Sequence, residues 1–218
     1  LFVEVNHGPF LVDNNLFLSP IALFDMSQGG AYVHNLFAGK IIIRSELRRL
    51  TPFHEAHSTK VAGLKNIAVN DERFCNNIFI GHNGLTAYGA PEEPLMMVGN
   101  VFLHGAQPSP HDTGFVLDEA FDPGLELVEE PDGVALRIAL APSWAGAEKR
   151  PLVTTQSLGK AQVPNLPFEQ PCGKPYRIDT DYRGAKRNAK SPFPGPFTRP
   201  DTKERQTIPV WPNRLPTE

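Results

Sequence analysis

Three acids recur at a constant interval: Glu4, Asp25 and Glu46 stand 21 residues apart in each step. Each sits in a short alternating stretch, "FVEVN", "LFDMS" and "RSELR". In an extended strand, alternation turns the mostly apolar flanks inward and the carboxylates out onto one face. On neighbouring parallel strands, about 4.8 Å apart, the three carboxyl groups would then form a column. Like charges that close repel, and a fold keeps them where they are neutralised, hold a cation or do chemistry. Carboxyl pairs roughly 5 to 5.5 Å apart serve retaining glycosidases as nucleophile and acid/base, so the chemistry suggested is on sugars. The plainer alternative is three solvated surface acids with accidental spacing. Against it, each acid has polar company: Asn6 and His7 after Glu4, Ser27 and Gln28 after Asp25, and Arg44, Arg48 and Arg49 around Glu46.

The elements that would position such a column can be read from an independent repeat. The segments "NNLFLS", "HNLFAG", "NNIFIG" and "GNVFLHG" align on Asn15, Asn35, Asn77 and Asn100, at intervals of 20, 42 and 23 residues. These are one, two and one repeats of a period near 21, which is solenoid spacing. Each unit places a turn-favouring polar residue before a short apolar run, with no room for a long helix. The fold expected is all-β: a right-handed parallel β-helix over residues 1–115, its asparagines hydrogen-bonded along a ladder. An antiparallel sandwich with Asn-rich turns is the alternative.

Within the interval of 42, the polar stretch from Arg44 to His57, interrupted by Pro52, is expected to protrude as a loop from one coil. Loops on one face of a solenoid often form its binding site. Residues 116–163 should hold antiparallel strands, with "LELVEEPDGVALRIAL" a hairpin about Asp132-Gly133. Residues 164–218 carry 11 of the 22 prolines and several aromatic residues, and should lie extended across the solenoid.

Composition narrows the function classes. A formal net charge of -3 shows no basic excess, which argues against a nucleic-acid partner. No apolar run approaches the roughly 18 residues of a membrane span. Cys75 and Cys172 fit neither a disulfide framework nor a zinc motif, so a reducing, cytoplasmic setting is the simpler expectation. In "HEAH", His54 and His57 are three apart and depart from the H-E-x-x-H pattern, so no metal and no cofactor is expected. His34, in "VHNLF", reads as a turn residue. The chain opens at Leu1 inside "LFVEVNHG", and the expectation is a C-terminal part whose first strand needs neighbours from a preceding segment or a companion chain.

The stretches "EVNHGPFLVDNNLFLS", "DMSQGGAYVHNLFAGKI", "RRLTPFHEAHSTKVAGL" and "DERFCNNIFIG" together resemble the β-xylosidases of glycoside hydrolase family 120. The similarity covers roughly residues 1–115. It implies a parallel β-helix joined to a β-sandwich region, and a retaining, exo-acting hydrolase of xylo-oligosaccharides. It also implies an Asp nucleophile and, about one coil later, a Glu acid/base, roles that fall on Asp25 and Glu46. Glu4, Asn6 and His7 would then contact the terminal sugar, and His54 and His57 would close one end of the site. A homo-oligomer is compatible with this reading. The rival readings are a calcium-dependent polysaccharide lyase and a non-catalytic carbohydrate-binding solenoid.

Overall fold

The computed structural model describes residues 1–89 and 96–212, so residues 213–218 of the expected tail lie outside the described residues. The expected all-β class holds. Among the described residues, helix is limited to the single turns Trp144–Ala147 and Thr155–Leu158 and the 3-10 turn Thr86–Tyr88.

The first part of the chain builds three parallel sheets in rotation. The strands are β1 (Phe2–Asn6), β2 (Phe10–Asp13), β3 (Leu16–Phe17), β4 (Ile21–Ser27), β5 (Gly30–Val33), β6 (Leu36–Phe37) and β7 (Lys40–Ile43). After an antiparallel ribbon, β8 (Glu46–His54) and β9 (Val61–Ile67), come β10 (Arg73–Cys75), β11 (Ile78–Ile80), β12 (Met96–Val98), β13 (Val101–Leu103), β14 (Asp112–Thr113) and β15 (Val116–Asp118). The sheet orders are β1-β4-β7, β14-β12-β10-β5-β2 and β15-β13-β11-β6-β3. Up to β7 the windings add strands to all three stacks; the later ones add strands to the second and third only.

Two side-chain columns hold the windings in register. In the third sheet, Phe17, Phe37, Phe79 and Phe102 occupy matching positions, and successive rings stack at 4.9, 5.1 and 5.1 Å. At the corner before them, the asparagine ladder forms as expected. Asn35 Oδ1 accepts from the backbone N–H of Asn15 at 2.9 Å, Asn77 Oδ1 from that of Asn35 at 2.8 Å, and Asn100 Oδ1 from that of Asn77 at 2.9 Å. Each amide nitrogen also donates to a main-chain carbonyl, Asn77 to Tyr32 and Asn100 to Phe74, both at 2.9 Å. Corner backbone groups that sheet pairing would leave unpaired are satisfied in this way.

The interval of 42 contains one winding, not two, because β10 pairs directly with β5 and Asn77 bonds directly to Asn35. Its extra length is the β8–β9 ribbon, so the expected protruding loop is a pair of antiparallel strands. Beyond β15, an antiparallel sheet joins β16 (Glu126–Glu130), β17 (Gly133–Ala139) and β20 (Arg205–Trp211), the last drawn from the Pro-rich region. The hairpin turn lies at residues 131–132, one place earlier than expected, since Glu130 pairs with Gly133. A Cβ at Gly133 would fall 1.9 Å from the Trp211 carbonyl oxygen, so this position must be glycine. Two short strands, β18 (Lys160–Ala161) and β19 (Leu166–Pro167), complete the set.

Candidate active site

The three acids do not form a column. In the first sheet Phe2 pairs with Phe24, Val3 with Asp25 and Glu4 with Met26, while Asp25 pairs with Ile43 on the other side. The step from β1 to β4 is therefore 22 residues, and a slip of one residue moves a side chain to the opposite face. Val3 and Ile43 pack against the main core, and Asp25, at the same position, faces the core with them, 0% exposed. Glu4 faces solvent. Glu46 is not in this sheet at all: it opens the β8–β9 ribbon opposite Ile67. The period that matched the asparagines does not transfer to the acids, because the first sheet has its own spacing.

Inside the windings Asp25 belongs to a buried carboxyl cluster. Tyr88 donates its hydroxyl to Asp25 Oδ2 at 2.6 Å, the Ser27 N–H donates to Oδ1 at 3.0 Å, and the Ser27 hydroxyl donates to the same oxygen. The Ser27 hydroxyl also lies 3.5 Å from Glu72 Oε1, and the Gly30 N–H donates to Glu72 Oε2 at 3.0 Å. Gly30 is required here, since a Cβ would sit 2.5 Å from that oxygen. Burial pushes Asp25 up to about 6, against the pull of its Ser27 and Tyr88 hydrogen bonds. Burial first, then the charges of Asp25 and Asp71, push Glu72 well above the usual carboxylate range. An attacking carboxylate must touch its substrate, and Asp25, with no exposed surface, does not reach one. Glu46 has the opposite character, with the Arg48 N–H and nearby arginine charges holding its carboxyl below the ordinary value.

The residues expected to bind substrate do meet. Glu4, Asn6, His7, His54 and His57 all line one cleft of ≈ 550 Å³, a size usual for small-molecule sites. One bank is the end of β1 and the turn after it; the second is the β8 side of the ribbon. The third is a segment far along the chain that brings Leu166, Pro167, Glu169 and Tyr176. Asp25 and Glu46 do not line it.

Among these, His7 is a structural residue rather than a substrate contact. Gln28 Oε1 accepts from the Ala68 N–H at 2.9 Å, which orients Gln28 Nε2 to donate to His7 Nδ1 at 2.8 Å. His7 Nε2 therefore carries the proton and donates to the Thr51 and Lys65 carbonyls, each at 3.1 Å. Both ring nitrogens are used, and burial lowers the imidazole's proton affinity, keeping it neutral. Its function is to bind the ribbon to the first sheet. Glu4 is half-exposed with the Arg49 guanidinium 3.7 Å away, and Asn6 Oδ1 accepts from the Gly8 N–H.

Glu169 and Tyr176 were not legible from the sequence, because nothing in local spacing announces a contact over more than 100 residues. Their segment is fixed by Arg73. That side chain pairs with Asp71 at 3.0 Å, donates to the carbonyls of Leu158 and Lys160 at 2.7 Å, and lies 4.9 Å from the centre of the Phe168 ring. The third bank is thus clamped to the same winding that supplies Glu72.

No family model matches the sequence, and no curated protein matches it. Among solved structures, the chain is similar to one titled "The complex structure of XylC with xylose", at 33% identity and a TM-score of 0.85. The match covers 96% of this chain and 37% of that one, so this chain spans little more than a third of that protein's length.

Proposed function

We propose that this chain is part of a glycoside hydrolase of the β-xylosidase type, related to glycoside hydrolase family 120, acting on xylo-oligosaccharides from the chain end with retention. The single observation that carries the reading is the likeness to a xylose complex over 96% of the chain at 33% identity. In this reading the three rotating parallel sheets are coils of a right-handed parallel β-helix.

The cleft supplies what a pyranose needs: a carboxylate (Glu4), an amide (Asn6), imidazoles (His54 and His57) and the aromatic rings of Phe53 and Tyr176. The reading gives Glu4 the role first expected of Glu46, because Glu4 is the one of the three recurring acids that the cleft presents. Retention needs a second carboxyl group about 5 to 5.5 Å away. β1 is the edge strand of its sheet, so a strand paired along it in a longer protein would set a matching side chain about 4.8 Å from Glu4. A carboxylate supplied beside Glu4 in this way would attack the anomeric carbon and form the glycosyl-enzyme as the leaving group departs; Glu4 would protonate the leaving oxygen, then take a proton from the water that releases the sugar. Asp25 supports this site from inside the winding and touches no sugar.

The test uses an aryl β-xyloside with the full-length protein. Glu4→Ala should lower kcat on substrates with poor leaving groups by about 10² to 10⁴, and azide should restore turnover as β-xylosyl azide. Asp25→Asn should leave kcat within about threefold, since a group acting from the interior changes stability before rate. Full activity in Glu4→Ala, or its loss in a folded Asp25→Asn protein, would reverse the assignment.

A further inference from the structure

A sugar chain can run through a cleft only where its banks stay apart. Here two banks touch. His57, at the tip of the ribbon, places Nε2 3.3 Å from Glu169 Oε2 on the C-terminal bank. A Cβ built at Gly173 would stand 3.8 Å from the same imidazole nitrogen, so the contact extends beyond one pair of flexible side chains. The bank on that side is a tight turn: the Gln170 N–H donates to the Lys174 carbonyl and the Gly173 N–H to that of Gln170, both at 2.8 Å. It is anchored at both ends, by Phe168 buried against Arg73 and by the Tyr176 N–H donating to Thr155 Oγ1 at 2.7 Å. Such a turn cannot swing aside without uncovering Phe168.

We infer that Glu169 and Tyr176 are specificity-determining residues of the cleft. The His57–Glu169 contact closes one end of it, so that only the terminal unit of a sugar chain enters. The inference rests on the carbohydrate reading given above and adds the element that would set exo selectivity. An exposed contact of this kind contributes little to stability. Its weight here is geometric: it joins the two banks at the place where a longer chain would leave. Among the described residues, the Tyr176 hydroxyl has no hydrogen-bond partner, and the Glu169 carboxylate has only His57. Both groups are therefore available to the hydroxyls of a terminal sugar.

The experiment compares binding of xylobiose with binding of the same disaccharide capped by a 4-O-methyl group at its non-reducing end, which offers no new terminal sugar. Calorimetry on the full-length protein reads both affinities, and aryl β-xyloside hydrolysis is followed in parallel. Wild type should reject the capped ligand by at least about tenfold, the cost of one clash or lost hydrogen bond. His57→Ala with Glu169→Ala should bring the two affinities within about threefold. Glu169→Gln, which can still meet His57, should keep the discrimination. Tyr176→Phe should weaken both ligands by about tenfold, the worth of one hydrogen bond, without changing their ratio. Melting temperatures near wild type establish that the variants fold. Equal binding of the two ligands by wild type, a ratio untouched by the double substitution, or no binding of either would overturn the inference. Discrimination without any hydrolysis would support it while removing the proposed activity; hydrolysis without discrimination would do the reverse.

Discussion

The second and third sheets repeat alike, and the first does not. Leu11, Ala31 and Arg73 in one, and Leu16, Leu36 and Ile78 in the other, step by 20 and 42 residues, and both sheets continue by 23 and 15. Across the first sheet, Val3, Asp25 and Ile43 step by 22 and then 18. The asparagine corner lies between the two regular sheets and fixes their mutual register through buried hydrogen bonds. The first sheet has no such ladder. Its register breaks between Glu4 and Asn6, where Val5 takes a positive φ of 47°, and again between Ile21 and Leu23. A buried polar network leaves one acceptable register, whereas apolar packing alone tolerates a bulge. The difference decides the site, because it sends Asp25 inward and leaves Glu4 outside.

The largest test of this contrast removes the ladder at its centre. Asn77 is fully buried; its side chain accepts from the Asn35 N–H and amide and donates to Tyr32 O and Asn100 Oδ1. Asn77→Ala leaves several buried donors and acceptors unpaired, at about 1 to 3 kcal/mol for each unsatisfied group. A loss of roughly 3 kcal/mol or more is expected in denaturant unfolding. A loss below about 1 kcal/mol would mean that phenylalanine stacking, not the ladder, sets the register.

The second test addresses the irregular sheet. An acid whose folded pKa is raised binds its proton more tightly when folded, so its contribution to stability is present at low pH and lost as pH rises through the folded value. For Asp25 that window runs from about 4 to about 6, and Glu72 extends the same trend upward. Asp112, pushed by burial up to about 7, adds the same sign. The buried imidazoles of His7 and His34 act oppositely, since their lowered values cost stability as pH falls below 6.5. The informative quantity is therefore a difference. Asp25→Asn keeps an acceptor for Ser27 and an amide that can donate to the Tyr88 oxygen. Relative to that variant, wild type should lose stability between pH 4 and pH 8, by about 1 to 3 kcal/mol. Parallel profiles for the two proteins would mean that Asp25 is ionised in the fold.

The same contrast explains what could be read from the residues alone. Asparagines and phenylalanines mark their own columns, because each occupies the same corner or inward position in every winding, so fold class and ladder were legible. The acids obeyed a period of 21 that no sheet keeps: the second and third step by 20, 42, 23 and 15, and the first by 22 and 18. A period cannot reveal a one-residue slip, and that slip places Asp25 beside Tyr88 and Glu72. Glu4, Asn6, His54 and His57 were legible as neighbours because they lie on short connected stretches around β1 and the ribbon. Glu169 and Tyr176 were not, since Arg73 brings them there through contacts with carbonyls at 158 and 160 that no local pattern encodes. Nor was β20, because Pro209 disguises a strand whose edge position tolerates it.

The smallest test is at the ladder's open end. Asn15 receives no hydrogen bond from a preceding asparagine; it donates to Asn35 Oδ1 at 3.2 Å and to the Asp13 carbonyl at 2.8 Å, and it is exposed. Water can replace both partners, so Asn15→Ala should cost about 0.5 to 1 kcal/mol. The ratio of this loss to that of Asn77→Ala measures how much of the ladder's strength comes from burial rather than from the bonds themselves. Equal losses at the two positions would show a column of independent hydrogen bonds, and the first sheet's freedom to slip would then need a cause other than the missing ladder.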